Sequence, residues 1–126
     1  MSERLTISSG YPFEDTYGYA RAVRVGDHVF VSGTTARGPD LALDALGQAS
    51  RVIDIIADAL RQAGADLRHV VRTVVYVTDM ADIDAVARAH SEAFGPVRPA
   101  STLVKVAGLT PATARVEIEV TAIVHD

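Results

Sequence analysis

Glu117 and Glu119 stand two residues apart in the run RVEIEVTAIV, so an extended strand would project both carboxylates from one face. A bare carboxylate needs solvent, a partner or a pocket. If another surface covers that face, one of the two becomes a base or a water-positioning group. Left open to solvent, both are surface charges. Ser32-Gly33 ends a second apolar run, HVFVSG. The G-x-S-x-G elbow is absent and no His/Asp partner is indicated, so Ser32 reads as a hydrogen-bonding residue rather than a nucleophile. Gly33 beside it would permit close backbone approach. Lys105, the sole lysine, is either a Schiff-base amine or, more plainly, a snorkelling or ion-paired side chain.

His28, His69 and His125 have no partners at metal-ligand spacing, and no metal site is expected. His90 falls on the apolar face of a helical stretch, where it is either a buried histidine bonded to backbone or an acid–base group. Neither phosphate-binding glycine pattern occurs. The chain has no cysteine, which removes disulfides, thiolate zinc sites and cysteine nucleophiles from consideration.

Several elements must position these residues. ARAVRV and HVFVSGT flank Gly26-Asp27, a hairpin signature with Gly26 supplying the positive φ of a tight turn. The preceding SSGYPFEDTYG and the following TARGPDLAL read as loops. From Asp44 to Ala63 the period changes: Ala45, Ala49, Val52, Ile56, Leu60 and Ala63 recur at three- and four-residue steps, predicting a helix that stops at Gly64. A strand over HVVRTVVYVT follows. Asp79 is the predicted N-cap of a second helix with Ile83, Val86, Ala87, His90 and Phe94 on one face, halted by Gly95-Pro96. Strands over STLVKVA and ARVEIEVTAIV close the chain. The order ββαβαββ predicts a single α+β domain over residues 1–126, a two-layer sandwich with two helices on one face of a mixed sheet.

With 126 residues and a net charge of −4, the chain suits one compact domain and lacks the positive balance of a general nucleic-acid binder. No apolar run approaches the ~18 residues of a membrane span, and the polar start MSERLT is unlike a signal peptide. The expected setting is the cytoplasm, with a small-molecule ligand, no nucleic acid and no membrane. VFVSG and VVYVT offer no polar row, as in sheets covered on both faces. Two helices cover only one face, so the other is expected to meet a further subunit; the alternative is a two-layer monomer with a few exposed aliphatics.

The ordered set GYARAVRVGDHVFVSGTTA, Gln48 opening a long helix, VVRTVVYVTDMADI, RPASTLVKV and VEIEVTAIV resembles the RidA family, also called the YjgF or reactive-intermediate deaminase family, over nearly the whole chain. The resemblance implies a chorismate-mutase-like fold and a homotrimer with clefts between subunits. It also implies cofactor-independent hydrolysis of 2-imino and 2-enamino acids to 2-keto acids and ammonia. Carried over by residue, Glu117 matches the glutamate that positions the attacking water, and Tyr19 and Ser32 match a tyrosine and a serine lining the cleft. The arginine that grips the substrate carboxylate is replaced by Ser101. A cleft asparagine is replaced by Ala87 and a cysteine by Leu103. These departures imply a non-archetypal member of the family, whose substrate differs from the archetype and need not be an α-carboxylate; Arg88 or Lys105 is then the candidate substitute cation. The rival reading is a non-catalytic metabolite-binding or regulatory trimer with the same cleft. A ribonuclease role, attached to some members of the family, is disfavoured by the negative net charge.

Overall fold

The computed structural model describes residues 3–126. The hairpin, the first long helix and the last three strands form where the sequence puts them. In chain order the elements are β1 (Arg4–Ile7), α1 (Pro12–Tyr17), β2 (Ala22–Val25), β3 (His28–Thr34), α2 (Ala45–Gln62), β4 (Val70–Val77), α3 (Ile83–Phe94), β5 (Ala100–Lys105) and β6 (Val116–Ile123). The six strands form one mixed sheet in the order β1-β2-β3-β6-β4-β5, parallel only between β4 and β5.

Two elements differ from expectation. SSGYPFEDTYG is not all loop: Pro12 opens α1 at its first turn and Gly18, at φ +77°, closes it, its N–H donating to the Glu14 carbonyl. Proline at the start and a left-handed glycine at the end are helix signals, but six residues are too few for periodicity to register. The described residues therefore hold three α-helices instead of two. Arg4–Ile7, near the polar start, forms β1, of which only Ile7 is buried, so no alternation betrayed it.

The long helix α2 follows from its ends and its stripe. The Asp44 carboxylate accepts the Gly47 N–H at 2.8 Å, Gly64 lies just beyond the C-terminus at φ +80°, and every predicted face residue from Ala45 to Ala63 is buried. Val52, Ile56 and Leu60 are wholly inaccessible, each contributing about 1.5–3 kcal/mol by leaving water. They pack on Val29, Val31, Val75, Ile118 and Val120 of the sheet in a single core.

In the second helical stretch, Asp79 caps a 3-10 turn, Met80–Asp82, and α3 begins only at Ile83. Its buried residues are Val86, Ala89 and Phe94; Ala87 is exposed, because the inward stripe steps from 86 to 89 rather than to 87. The last strand ends at Ile123, so Val124, the final residue of the predicted run, lies beyond β6.

The opposite face of the sheet is open in the single chain. Phe30 is 50% and Val104 39% exposed there, beside the half-buried Val74, Tyr76, Glu117 and Glu119. Among the described residues, no helix is long and apolar enough to cross a membrane.

Candidate functional site

A β-bulge builds the site. The β3–β6 register shifts between Val31 and Thr34, releasing Ser32 and Gly33 from the ladder. Arg21, 1% exposed, holds the freed segment. Its Nη1 donates to the Gly33 carbonyl at 2.9 Å and to Thr34 Oγ1 at 2.8 Å, and its Nε donates to Glu14 Oε2 at 3.3 Å. Its Nη2 donates to the Tyr19 hydroxyl oxygen at 3.2 Å, and among the described residues the tyrosine's own proton has no acceptor. Glu14, buried in α1, also accepts the Ser9 N–H at 3.0 Å and both the Ser8 and Ser9 hydroxyls. Burial alone would raise the pKa of its carboxyl group; the bonds from Ser9 and Arg21 outweigh that and hold it below the ordinary value.

Glu117 lies against Gly33 so closely that a Cβ there would stand 2.8 Å from Oε2. A larger residue at 33 would press on the flexible end of that carboxylate, so the close approach here is made by a side chain and not by backbone. Burial pushes the Glu117 carboxyl up, the Glu119 charge adds to this, and Arg21 partly offsets it. Glu119 itself accepts the Tyr76 hydroxyl.

Tyr19, Ser32 and Glu117 come together in a cleft of about 380 Å³. The Ser32 hydroxyl donates to the Ala20 carbonyl at 2.7 Å, so its one proton is committed within the hairpin. Arg21, Arg37, Tyr11, Phe13, Tyr17, Thr35 and Thr110 line the same space, and none of them was singled out from sequence.

The remaining expected residues lie elsewhere. Ser101, Leu103 and Lys105 sit on the edge strand β5, separated from β3 by β4 and β6. Ser101 Oγ accepts from Thr73 Oγ1 at 2.7 Å, and the same Thr73 oxygen is 2.8 Å from His90 Nε2. His90 is therefore bonded to a buried side chain rather than to backbone, and desolvation lowers its pKa. Ala87 is exposed, and Arg88 is an exposed cation paired with Glu92 at 3.2 Å. One chain thus presents two separate groups of the expected cleft residues.

A mixed six-stranded sheet with its long helices on one face, and a polar cleft at a β-bulge, defines an α+β protein of the YjgF type. Rv2704 of Mycobacterium tuberculosis, a member of the YjgF/YER057c/UK114 family, superposes with a TM-score of 0.91 and 44% identity, covering 97% of this chain and 100% of that one. Residues 13–124 match the family described as Endoribonuclease L-PSP, and the chain belongs to that family. An uncharacterised protein of Streptomyces coelicolor is 39% identical over 119 residues, 92% of this chain and 89% of the relative. The mouse 2-iminobutanoate/2-iminopropanoate deaminase is 31% identical over 109 residues, 83% of this chain and 80% of that protein. The family resemblance read from the sequence is borne out.

Proposed function

We propose that this protein is a cofactor-independent imine and enamine hydrolase of the RidA type, acting in the cytoplasm as a homotrimer whose clefts are completed between subunits. The observation that carries the reading is the Glu117 carboxylate resting on Gly33 beside the hydroxyl of Tyr19. Glu117 orients a water and takes its proton as the water oxygen adds to the imine carbon. Glu117 returns its proton to the nitrogen to complete the carbinolamine, which then collapses: the hydroxyl proton also passes to nitrogen as the C=O bond forms, the C–N bond breaks, ammonia leaves and a carbonyl compound remains. Tyr19 donates a hydrogen bond to the substrate, while Ser32 shapes the bulge.

The trimer reading is supported by the open face, where Phe30 and Val104 lie uncovered. It is supported too by the position of Ser101 and Leu103 on an edge strand, from which a second copy could bring them to the cleft of the first. Sedimentation should give three times the 13.4 kDa chain mass; a monomer would overturn that part of the reading.

The direct test generates 2-iminobutanoate with a dehydratase and follows imine decay. Decay that accelerates in proportion to added protein is expected. No acceleration, with 2-keto acids still bound, would replace the hydrolase with the metabolite-binding alternative. Gly33→Ala probes the geometry. Its Cβ meets the flexible end of Glu117, so the thermal midpoint should move little while the carboxylate is displaced, and a misplacement of about 1 Å can cost about 10²-fold in rate. Wild-type turnover in Gly33→Ala would show that the contact between residues 33 and 117 is not used.

A further inference from the structure

We propose that Arg37 is the anion-recognising group of this cleft, and that its ligand is a small carboxylate carrying an apolar or aromatic side group. Arg37 follows β3 at the start of the 3-10 turn Gly38–Ala42 and reaches into the cleft that holds Glu117 and Tyr19. Its side chain is 24% exposed and its guanidinium lies 4.3 Å from the centre of the Tyr11 ring.

The guanidinium has a loose ion pair but no hydrogen bond. Nη2 is paired with Glu14 Oε2 at 4.0 Å, too far to donate to it, and among the described residues that buried nitrogen has no hydrogen-bond acceptor. The Glu14 carboxylate is already bonded by Ser8, Ser9 and Arg21. Buried donors in native proteins are nearly always paired, and a charged one left over requires an explanation. The fork of a guanidinium matches a carboxylate in two parallel bonds.

The two cations expected from sequence lack these features. Arg88 is exposed and paired with Glu92, and Lys105 is exposed on the far edge strand. The side-group preference comes from the walls. Three of the chain's four tyrosines and one of its three phenylalanines line this cleft. The Tyr11 and Phe13 rings meet edge-to-face with centroids 5.2 Å apart, and Phe13 lies 5.2 Å from Tyr17. Such a wall favours a planar or bulky apolar group over a two-carbon one.

The identity of the anion as a carboxylate rests on the hydrolase reading; the recognition itself does not. The test is therefore calorimetric binding without turnover, using phenylpyruvate, its methyl ester and 2-oxobutanoate. Wild type should bind phenylpyruvate more tightly than 2-oxobutanoate and the uncharged ester at least about tenfold more weakly. Arg37→Gln should weaken phenylpyruvate by about 30-fold or more, as removal of one member of a buried charge pair does. Arg37→Lys should recover part of this, and Arg61→Gln, which removes an exposed charge on α2, should change nothing. Unchanged affinity in Arg37→Gln, ester binding equal to the acid, a loss carried by Arg88→Gln or Lys105→Gln instead, or no binding by wild type overturns the proposal. If Arg37→Gln fails to fold by circular dichroism, the acid–ester comparison in wild type decides. Binding through Arg37 without imine hydrolysis would uphold this inference and overturn the hydrolase; hydrolysis indifferent to Arg37 would do the reverse.

Discussion

Glutamine in place of Glu117 is expected to cut imine hydrolysis by about 10²–10⁴-fold, the loss typical of removing a positioned general base. The substitution keeps the shape that rests on Gly33 and removes only the charge. The pH dependence follows from the direction of the shift. Burial raises the Glu117 pKa above its ordinary 4.5, so the proton-accepting form is reached only at higher pH. Wild-type kcat/KM should therefore climb as pH rises through that raised value. Stability runs the other way. A carboxyl group whose folded pKa exceeds its unfolded one stabilises the fold fully below the unfolded pKa and loses that contribution as pH rises through the folded one. Glu117→Gln mimics the protonated form, so its thermal midpoint should match wild type in acid and exceed it near neutrality. Wild-type turnover in the variant would remove Glu117 from the mechanism, and a midpoint advantage that shrinks with rising pH would contradict the burial argument.

How much of this was legible beforehand depends on the length scale of each signal. The 18 residues of α2 repeat their stripe five times between Asp44 and Gly64, and the structure follows it residue by residue. The six residues of α1 repeat nothing, and only the Pro12 and Gly18 punctuation carried its signal. In α3 two neighbouring registers were both apolar, and packing on α2 chose Ala89 over Ala87. Glu117 and Gly33 could be read separately, one as an unpartnered strand carboxylate and the other as a place of close approach. Their meeting depends on the β3–β6 register and its bulge, which no single strand encodes. Arg21 shows the same limit more sharply. In RAVRV it reads as one of two arginines on an ordinary half-exposed strand. Its burial is decided by Glu14, Tyr19 and Thr34, residues 7, 2 and 13 positions away, that close around it only when α1 and the bulge form together. Arg37 sits at the other end of that cluster and was likewise invisible as anything but a loop charge.

Arg21 should therefore prove the costliest single polar residue to remove. Arg21→Met keeps much of the volume but leaves Glu14 buried without its hydrogen-bonded cation, with only Arg37, at 4.0 Å, left among the described residues, and breaking a buried pair from one side costs about 3–5 kcal/mol. The Gly33 carbonyl and the Thr34 hydroxyl lose their donor in the same step. Urea denaturation should show the loss as a lower midpoint with an unchanged slope. The double variant Arg21→Met/Glu14→Gln tests the cause. If the stranded carboxylate dominates, removing its charge restores a substantial part of the stability, and the pair shows a coupling of about 0.5–3 kcal/mol. If the double variant is as unstable as the single, the loss lies in the carbonyls of the bulge. A loss below about 1 kcal/mol in the single variant would mean that the Ser8 and Ser9 bonds and the Arg37 charge suffice to hold Glu14. The consequence for chemistry is separable from stability. Tyr19 loses the donor that fixes its hydroxyl, and Glu117 loses the charge that partly offsets its burial, so activity should fall even at temperatures where the variant is folded. The residue that supports the fold at this point is thus the one that aims the cleft, and the variant pair distinguishes the two roles by restoring one without the other.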